Sequence, residues 1–87
     1  GIYMPKQISE QVQGDWDAVN KKGTDTVNPA DLKKIVMGSV AGLGKLGGND
    51  KFDPKAFAAI QKSKFPDNKE FSKAETVQMI THLVSKT

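Results

Sequence analysis

Two short segments of this chain repeat one pattern, and that pattern constrains the fold more than any other feature of the sequence. They are residues 26–32 and residues 70–76. Each contains an apolar residue of high strand propensity, followed directly by a residue that caps helix N-termini, and an acid three positions after the cap. Each also follows an amphipathic stretch and a polar loop. The repeat predicts two similar helix–loop–helix halves whose loops lie side by side.

The size of the chain predicts a single domain with a small core, because 87 residues are too few for two independent cores. There are no cysteines, which excludes disulfides and thiolate metal sites and fits a reducing, cytoplasmic location. The longest apolar run, residues 35–46, is short and broken by glycines, so no membrane span is expected. The first residues also lack the pattern of a secretion signal.

The net charge of +3 results from 13 lysines and 10 acidic residues, and the chain contains no arginine. Arginine is the residue that binds phosphate and guanine with two parallel hydrogen bonds, so nucleic acid is not an expected partner. Membrane or DNA binding through scattered lysines stays as an alternative. Those lysines are Lys33, Lys34, Lys45, Lys51, Lys55, Lys62 and Lys64.

Four helices are predicted from apolar spacing and capping residues. The first runs from Pro5 or Ser9 to about Asn20, with an apolar stripe on one side and Asp15 and Asp17 on the other. The remaining three begin at an Asn-Pro pair, an Asp-Pro pair and a Ser-Lys-Ala-Glu capping box. Their first residues and caps are Asn28-Pro29, Asp53-Pro54 and Ser72 with Glu75.

The predicted organisation is an N-terminal tail, residues 1–7, followed by one domain, residues 8–87. Within the domain the first half covers residues 9–43, a mobile glycine-rich linker residues 44–52, and the second half residues 53–86. Met4 is taken as a natural start, so residues 1–3 are treated as an expression-vector remnant and left out of the fold prediction. A plain four-helix bundle would show the same caps and stripes, but would not need a β-prone residue before two of the caps.

The paired segments and the helix spacing resemble the EF-hand superfamily, over residues 9–85. The resemblance is to a single lobe of the calmodulin-like or myosin light chain-like type, with degenerate loops. It implies an all-α paired EF-hand fold, in which four helices are joined by a short antiparallel bridge between Val27 and Phe71.

The same resemblance assigns six ligand places to each loop. In the first loop Lys22 puts a cation at one place, Asp31 is shorter than the usual glutamate, and Asp25 stands where a glycine with positive φ is usual. In the second loop Lys64 and Pro66 cannot be ligands. The side chains that could still contribute oxygen are Asn20, Thr24, Thr26, Asn28 and Asp31 in the first loop, and Asn68, Glu70, Ser72 and Glu75 in the second. We therefore expect no metal and no cofactor, calcium included.

What the resemblance implies is a calcium-independent, protein-binding lobe that holds an amphipathic helix in a hydrophobic groove, as light chains do on the neck helices of unconventional myosins. The partner would be a larger protein, such as a myosin heavy chain, and the free lobe a monomer. The expected groove residues are Trp16, Met37, Val40, Leu43, Phe57, Met79 and Leu83, although the same residues could simply form the core. Met37 and Met79 are the best candidates for adaptable contact.

Two alternatives stay open at this stage. Myosin neck motifs are basic, so a positively charged lobe would have to meet them with an acidic patch, and an acidic or neutral helix is an alternative. That patch would consist of Glu10, Asp15, Asp17 and Asp25. A calcium sensor or buffer with non-standard loops is a second alternative, with the carbonyls of Ala18, Lys21, Gly23 and Thr26 as ligands of a calgranulin-like first loop. An enzyme is not expected, because nothing in the sequence arranges a nucleophile or an acid around His82.

Overall fold

A computed structural model describes residues 3–84 of the chain. Four α-helices and two short strands follow one another, with a single π-helical turn after the second helix. Their bounds are α1 Pro5–Val19, β1 Thr26–Val27, α2 Pro29–Leu43, the π turn Gly44–Gly48, α3 Pro54–Lys64, β2 Phe71–Ser72 and α4 Lys73–Val84. The prediction of a mainly helical chain with a short antiparallel bridge is confirmed at that level.

The two strands pair antiparallel and join the halves at their loops. Val27 lies opposite Phe71, and Thr26 lies opposite Ser72. Val27 is 3% exposed and Phe71 1% exposed, so both side chains point into the core. The equivalence of these two residues, predicted from the sequence, is confirmed by this register.

Capping bonds start three of the helices where the sequence predicts them. The Asn28 Oδ1 atom accepts the N–H of Asp31 at 2.8 Å, and the Asp53 Oδ1 atom accepts the N–H of Lys55 at 2.9 Å. In α4 the capping box is complete, since the Ser72 N–H donates to Glu75 at 2.9 Å and the Glu75 N–H donates to the Ser72 hydroxyl at 3.1 Å. Each such cap satisfies backbone N–H groups that have no partner within the helix.

The first helix starts at the earlier of its two predicted positions, inside the segment that was predicted to be a tail. It begins at Pro5, where the Met4 N–H donates to the Gln7 side chain at 2.8 Å. Proline suits the first position of a helix, because its missing N–H would have no helical partner there. Ile8, Val12 and Trp16 are the buried residues of α1.

Helices α1, α2 and α4 enclose most of the core. Helix α1 packs on α2 and α4, and α4 also contacts α2 and α3. Helix α3 is the outlying element, because Phe57 is its only buried residue. The buried apolar residues are Tyr3, Ile8, Val12, Trp16, Val27, Leu32, Ile35, Val36, Val40, Leu43, Phe57, Phe71, Met79, Ile80 and Val84.

A polar contact lies where α1 crosses α2. The Asp15 carboxylate accepts hydrogen bonds from the buried Ser39 hydroxyl at 2.8 Å and from the Gln11 amide at 3.0 Å. The prediction that Asp15 faces away from the packed side is therefore wrong. Glycines allow the crossing to be close, since a Cβ atom at Gly42 would lie 2.5 Å from the Gln11 side chain. Asp17 is exposed and accepts a bond from Gln13 at 2.9 Å.

The predicted glycine-rich linker begins as a π-helical turn. Gly44 packs so tightly against Asp50 that a Cβ atom there would lie 2.3 Å from the Asp50 carbonyl oxygen. Tyr3, which the sequence analysis left out of the fold, is 9% exposed and donates its hydroxyl proton to the Asp50 carboxylate. The linker is thus fixed from two sides. Within residues 3–84, none of the helices has the length and hydropathy needed to cross a bilayer.

Candidate functional site

The first loop is held in shape by an amide and a hydroxyl. The Asn20 Nδ2 group donates to the Thr24 carbonyl at 2.7 Å, and the Thr24 hydroxyl lies 2.9 Å from Asn20 Oδ1 and 2.8 Å from the Thr26 carbonyl. Three of these oxygens were candidate metal ligands, namely the side-chain oxygens of Asn20 and Thr24 and the carbonyl oxygen of Thr26. Because they bond to one another, the loop closes on itself with neutral groups.

A cavity of about 340 Å³ lies against this loop. All five candidate ligands of the first loop line it, together with Lys21, Lys22 and Glu70. The ligand candidates here are Asn20, Thr24, Thr26, Asn28 and Asp31. Glu70 was assigned to the second loop from the sequence, but its carboxylate accepts the Thr26 hydroxyl proton across the strand pair. Two lysines and two acids therefore share one cavity.

The backbone of the first loop turns at a different residue from the one expected. Asp25 was predicted to occupy the positive-φ position. The residue with positive φ is Gly23, at 67°, and among residues 3–84 the only other residues with positive φ are Gly47 and Asn49. Glycine reaches this conformation without a Cβ clash, so the turn moves to Gly23 and Asp25 keeps an ordinary backbone.

The second loop is organised around the Glu75 carboxylate. One oxygen accepts the Ser72 N–H, and the other accepts the Asn68 side-chain amide at 2.7 Å. The hydrogen bond from the Ser72 backbone, with help from Asn68, holds the pKa of Glu75 below its ordinary value, although partial burial opposes this shift. An N–H donor therefore lies where the resemblance would place a cation.

The second loop is also shorter. Residues 20–26 separate the end of α1 from Val27, whereas residues 65–70 separate the end of α3 from Phe71, one residue fewer. Lys64 is the last residue of α3 and Pro66 is exposed, and neither side chain carries an oxygen atom. Within residues 3–84, no three or more His, Cys, Asp or Glu side chains are grouped so that they could hold a metal ion.

Most of the residues expected to line a helix-binding groove are in the core. Met79, predicted to be a residue of adaptable contact with the partner, is fully buried. Only two of the seven are accessible: Met37 is 44% exposed on the outer side of α2, and Leu83 is half-buried. The other buried members are Trp16, Val40, Leu43 and Phe57. In this structure these five residues pack against one another, so a partner could not reach them.

An accessible apolar groove lies instead between α3 and α4. One part, about 270 Å³, is lined by Ala56, Ala59, Ile60, Ser63, His82 and Leu83. The adjoining part, about 300 Å³, shares His82 and is lined also by Lys64, Phe65, Val77, Gln78 and Thr81. We call these two parts together the α3–α4 groove. Of the residues that line the α3–α4 groove, only Leu83 was predicted to be a groove residue. The signal that the prediction missed is the spacing of the small residues on α3, which lie three and four positions apart.

No family model, curated protein or solved structure matches this chain. Its function is therefore inferred from its own residues and their geometry.

Proposed function

We propose that this chain is a calcium-independent EF-hand pair, a light-chain-like lobe that holds an amphipathic helix of a larger protein. The observation that carries the proposal is the contact of the Asn68 amide with the Glu75 carboxylate at 2.7 Å. In a calcium-binding loop, the final glutamate closes onto the ion with both oxygens. Here both oxygens of Glu75 accept protein N–H groups, so the loop is closed without an ion.

The first loop supports the same proposal by different chemistry. Asn20 and Thr24 satisfy each other, and two lysines line the cavity beside them. A divalent cation would have to break those bonds and approach two ammonium groups. Both effects oppose binding, because the ion attracts carboxylates but is repelled by nearby positive charge.

The α3–α4 groove is the surface that we assign to the helical partner. Its lining includes the half-buried apolar side chains of Ile60, Phe65 and Leu83. Ala56 and Ala59 carry only a methyl group, which allows a second helix to approach α3 closely. A helix seated there would cover apolar surface that the chain leaves in contact with water.

A calcium sensor or buffer is the second candidate, and the first-loop cavity favours it. Asp31 and Glu70 both line that cavity, and the Asp31 carboxylate accepts no hydrogen bond within residues 3–84. For an ion to bind there, Asn20 and Thr24 would have to separate and Lys22 would have to turn away.

Calcium titration followed by amide NMR separates the two candidates. We expect no shifts at residues 18–31 or 64–75 up to millimolar calcium. Saturating shifts in either segment at micromolar calcium would contradict the proposal and identify a sensor.

The variant Asn68→Asp is the matched test of the second loop. It replaces the N–H donor by a carboxylate facing Glu75, so that two like charges repel each other. We expect its melting temperature to be lower than that of the wild type and to recover on addition of millimolar calcium. The exposed neighbour Asp67 supplies the control, because Asp67→Asn should leave both values unchanged.

A further inference from the structure

We infer that the helix held in the α3–α4 groove is acidic, with carboxylates flanking its apolar stripe. The inference rests on the proposed function, in which this groove holds a helix, and it identifies the partner by its charge. A basic helix of the myosin-neck type is therefore not the partner that this surface fits.

The geometry of α3 shows which of its side chains flank the groove. Ala56, Ala59, Ile60 and Ser63 line it and so define one face of the helix. At 3.6 residues per turn, Lys55 and Lys62 fall on one side of that face and Lys64 falls on the other. Lys64 itself lines the adjoining part of the groove. Lysines thus occupy helical positions on both sides of the groove-lining face of α3, and of the three only Lys64 is part of the lining.

Carboxylates are missing from the same walls. Residues 54–64 and 76–84, which form α3 and all but the first turn of α4, contain no Asp or Glu. Two acids adjoin these segments, and both accept hydrogen bonds elsewhere. The Asp53 carboxylate accepts the Lys55 backbone N–H. The Glu75 carboxylate accepts the Asn68 amide and the Ser72 backbone N–H of the second loop. Lys64 is therefore the one Lys, Asp or Glu residue among the described residues that line the groove.

The three lysines also have no carboxylate partner within residues 3–84. The one lysine–carboxylate ion pair there joins Lys6 to Glu10 on α1. Lys62 and Lys64 lie in the last turn of α3, where the negative end of the helix dipole stabilises their positive charge. That explanation does not extend to Lys55, which lies in the first turn, where a positive charge is unfavourable.

The acidic patch that a basic partner would need lies elsewhere. Glu10 and Asp17 are exposed on α1, and Asp25 is exposed in the first loop. Asp15 is occupied by Gln11 and Ser39. None of these residues lines the α3–α4 groove. A basic helix placed in the groove would meet lysines of its own charge, whereas an acidic helix would meet three lysines that have no carboxylate partner within residues 3–84.

Two designed peptides test the inference on the full chain. Both carry the same leucine stripe at helical spacing, one with glutamate and the other with lysine at the flanking positions. We expect the glutamate peptide to shift the amides of Ala56, Ala59, Ile60 and Leu83, and to bind at least about tenfold more tightly than the lysine peptide. The difference should shrink between about 0.01 and 0.15 M salt, as the Debye length falls from about 30 to about 8 Å.

Charge-reversed variants provide the matched controls. The triple variant Lys55→Glu, Lys62→Glu and Lys64→Glu should reverse the preference between the peptides. The control is the triple variant Lys33→Glu, Lys34→Glu and Lys45→Glu, at exposed positions on α2 and the π turn. It changes the net charge by the same amount and should leave the preference between the peptides unchanged. Circular dichroism of each variant verifies that the helices are intact.

The possible results separate the inference from the proposed function. Groove shifts with the lysine peptide alone, or equal binding of both peptides, would overturn the acidic partner while leaving a helix-binding groove. No shifts with either peptide would overturn both. Concentration-dependent dimerisation that shifts the same groove amides in the absence of peptide would also overturn the acidic partner, because a second copy of the chain would then be the occupant.

Discussion

The two loops of this chain are both closed by internal hydrogen bonds, but with different chemistry. In the first loop a neutral amide and a neutral hydroxyl bond to each other, at Asn20 and Thr24. In the second loop an ionised carboxylate, Glu75, is held by two N–H donors, from Asn68 and Ser72. The strand pair then fixes the two loops against each other through Val27 and Phe71.

The difference teaches that a loop of this shape does not require an ion to hold it. It requires only that its polar groups form hydrogen bonds within the protein when they are removed from solvent. The first loop satisfies this condition with the neutral groups of Asn20, Thr24 and Thr26. The second half keeps a charged group, and it should depend on both the donor and the protonation state of Glu75.

The largest difference between the halves should appear at the strand pair. Phe71 is 1% exposed and packs edge-on against Phe65, with ring centroids 6.2 Å apart, whereas Val27 is a smaller aliphatic side chain, 3% exposed. We expect Phe71→Ala to lower the free energy of unfolding by about 3–5 kcal/mol. Val27→Ala removes two methyl groups and should cost about 2 kcal/mol. Urea denaturation measures both, and equal losses would show that the two halves contribute alike.

A smaller contrast is expected when the donors are removed. Asn68→Ala takes a hydrogen bond from a half-buried carboxylate and should lower the free energy of unfolding by about 1.5–2 kcal/mol. Asn20→Ala breaks bonds between neutral groups at the surface and should cost about 1 kcal/mol. Thermal denaturation of the two variants at neutral pH compares them. A larger loss for Asn20→Ala would refute the assignment of the charged contact as the stronger one.

The smallest effect is the response to acid. The pKa of Glu75 is lowered by folding from an ordinary value of 4.5, so its stabilising contribution is complete above that pH and is lost as the pH falls through the folded value. Glu75→Gln should remove this dependence, and its difference in stability from the wild type should shrink below pH 4.5. Denaturation at several pH values between neutral and acid conditions gives this difference directly.

The matched acid of the first half provides the control for that experiment. The Asp31 carboxylate accepts no hydrogen bond within residues 3–84, so Asp31→Asn should change the free energy of unfolding at neutral pH by about 0.5 kcal/mol, through the helix dipole alone. A loss as large as that of Glu75→Gln would mean that the first half also depends on its acid.

Local signals in the sequence predicted much of this architecture. Proline after a capping residue marks where helices begin, and the β-prone residues before two caps identified the strand pair. Such signals act over a few residues, so they can be read without knowing the fold.

Contacts between distant residues could not be predicted in the same way. Asp15 was placed on the solvent side of α1, because nothing in its own helix indicates that Ser39 lies 2.8 Å away. The contact of Tyr3 with Asp50 spans 47 residues and depends on how the linker folds. Glu70 reaches the first loop only because the strands pair. Each of these depends on packing that the whole chain decides.

The pairing of Val27 with Phe71 also has a consequence for how the molecule could be divided. Each half donates one strand to the pair, and helix α4 of the second half covers α1 and α2 of the first. A fragment ending near Gly47 would therefore expose most of its apolar surface to water. Separately, the two fragments should be disordered; mixed, they should reassemble by complementation into one cooperative unit, with an affinity set by the core between them.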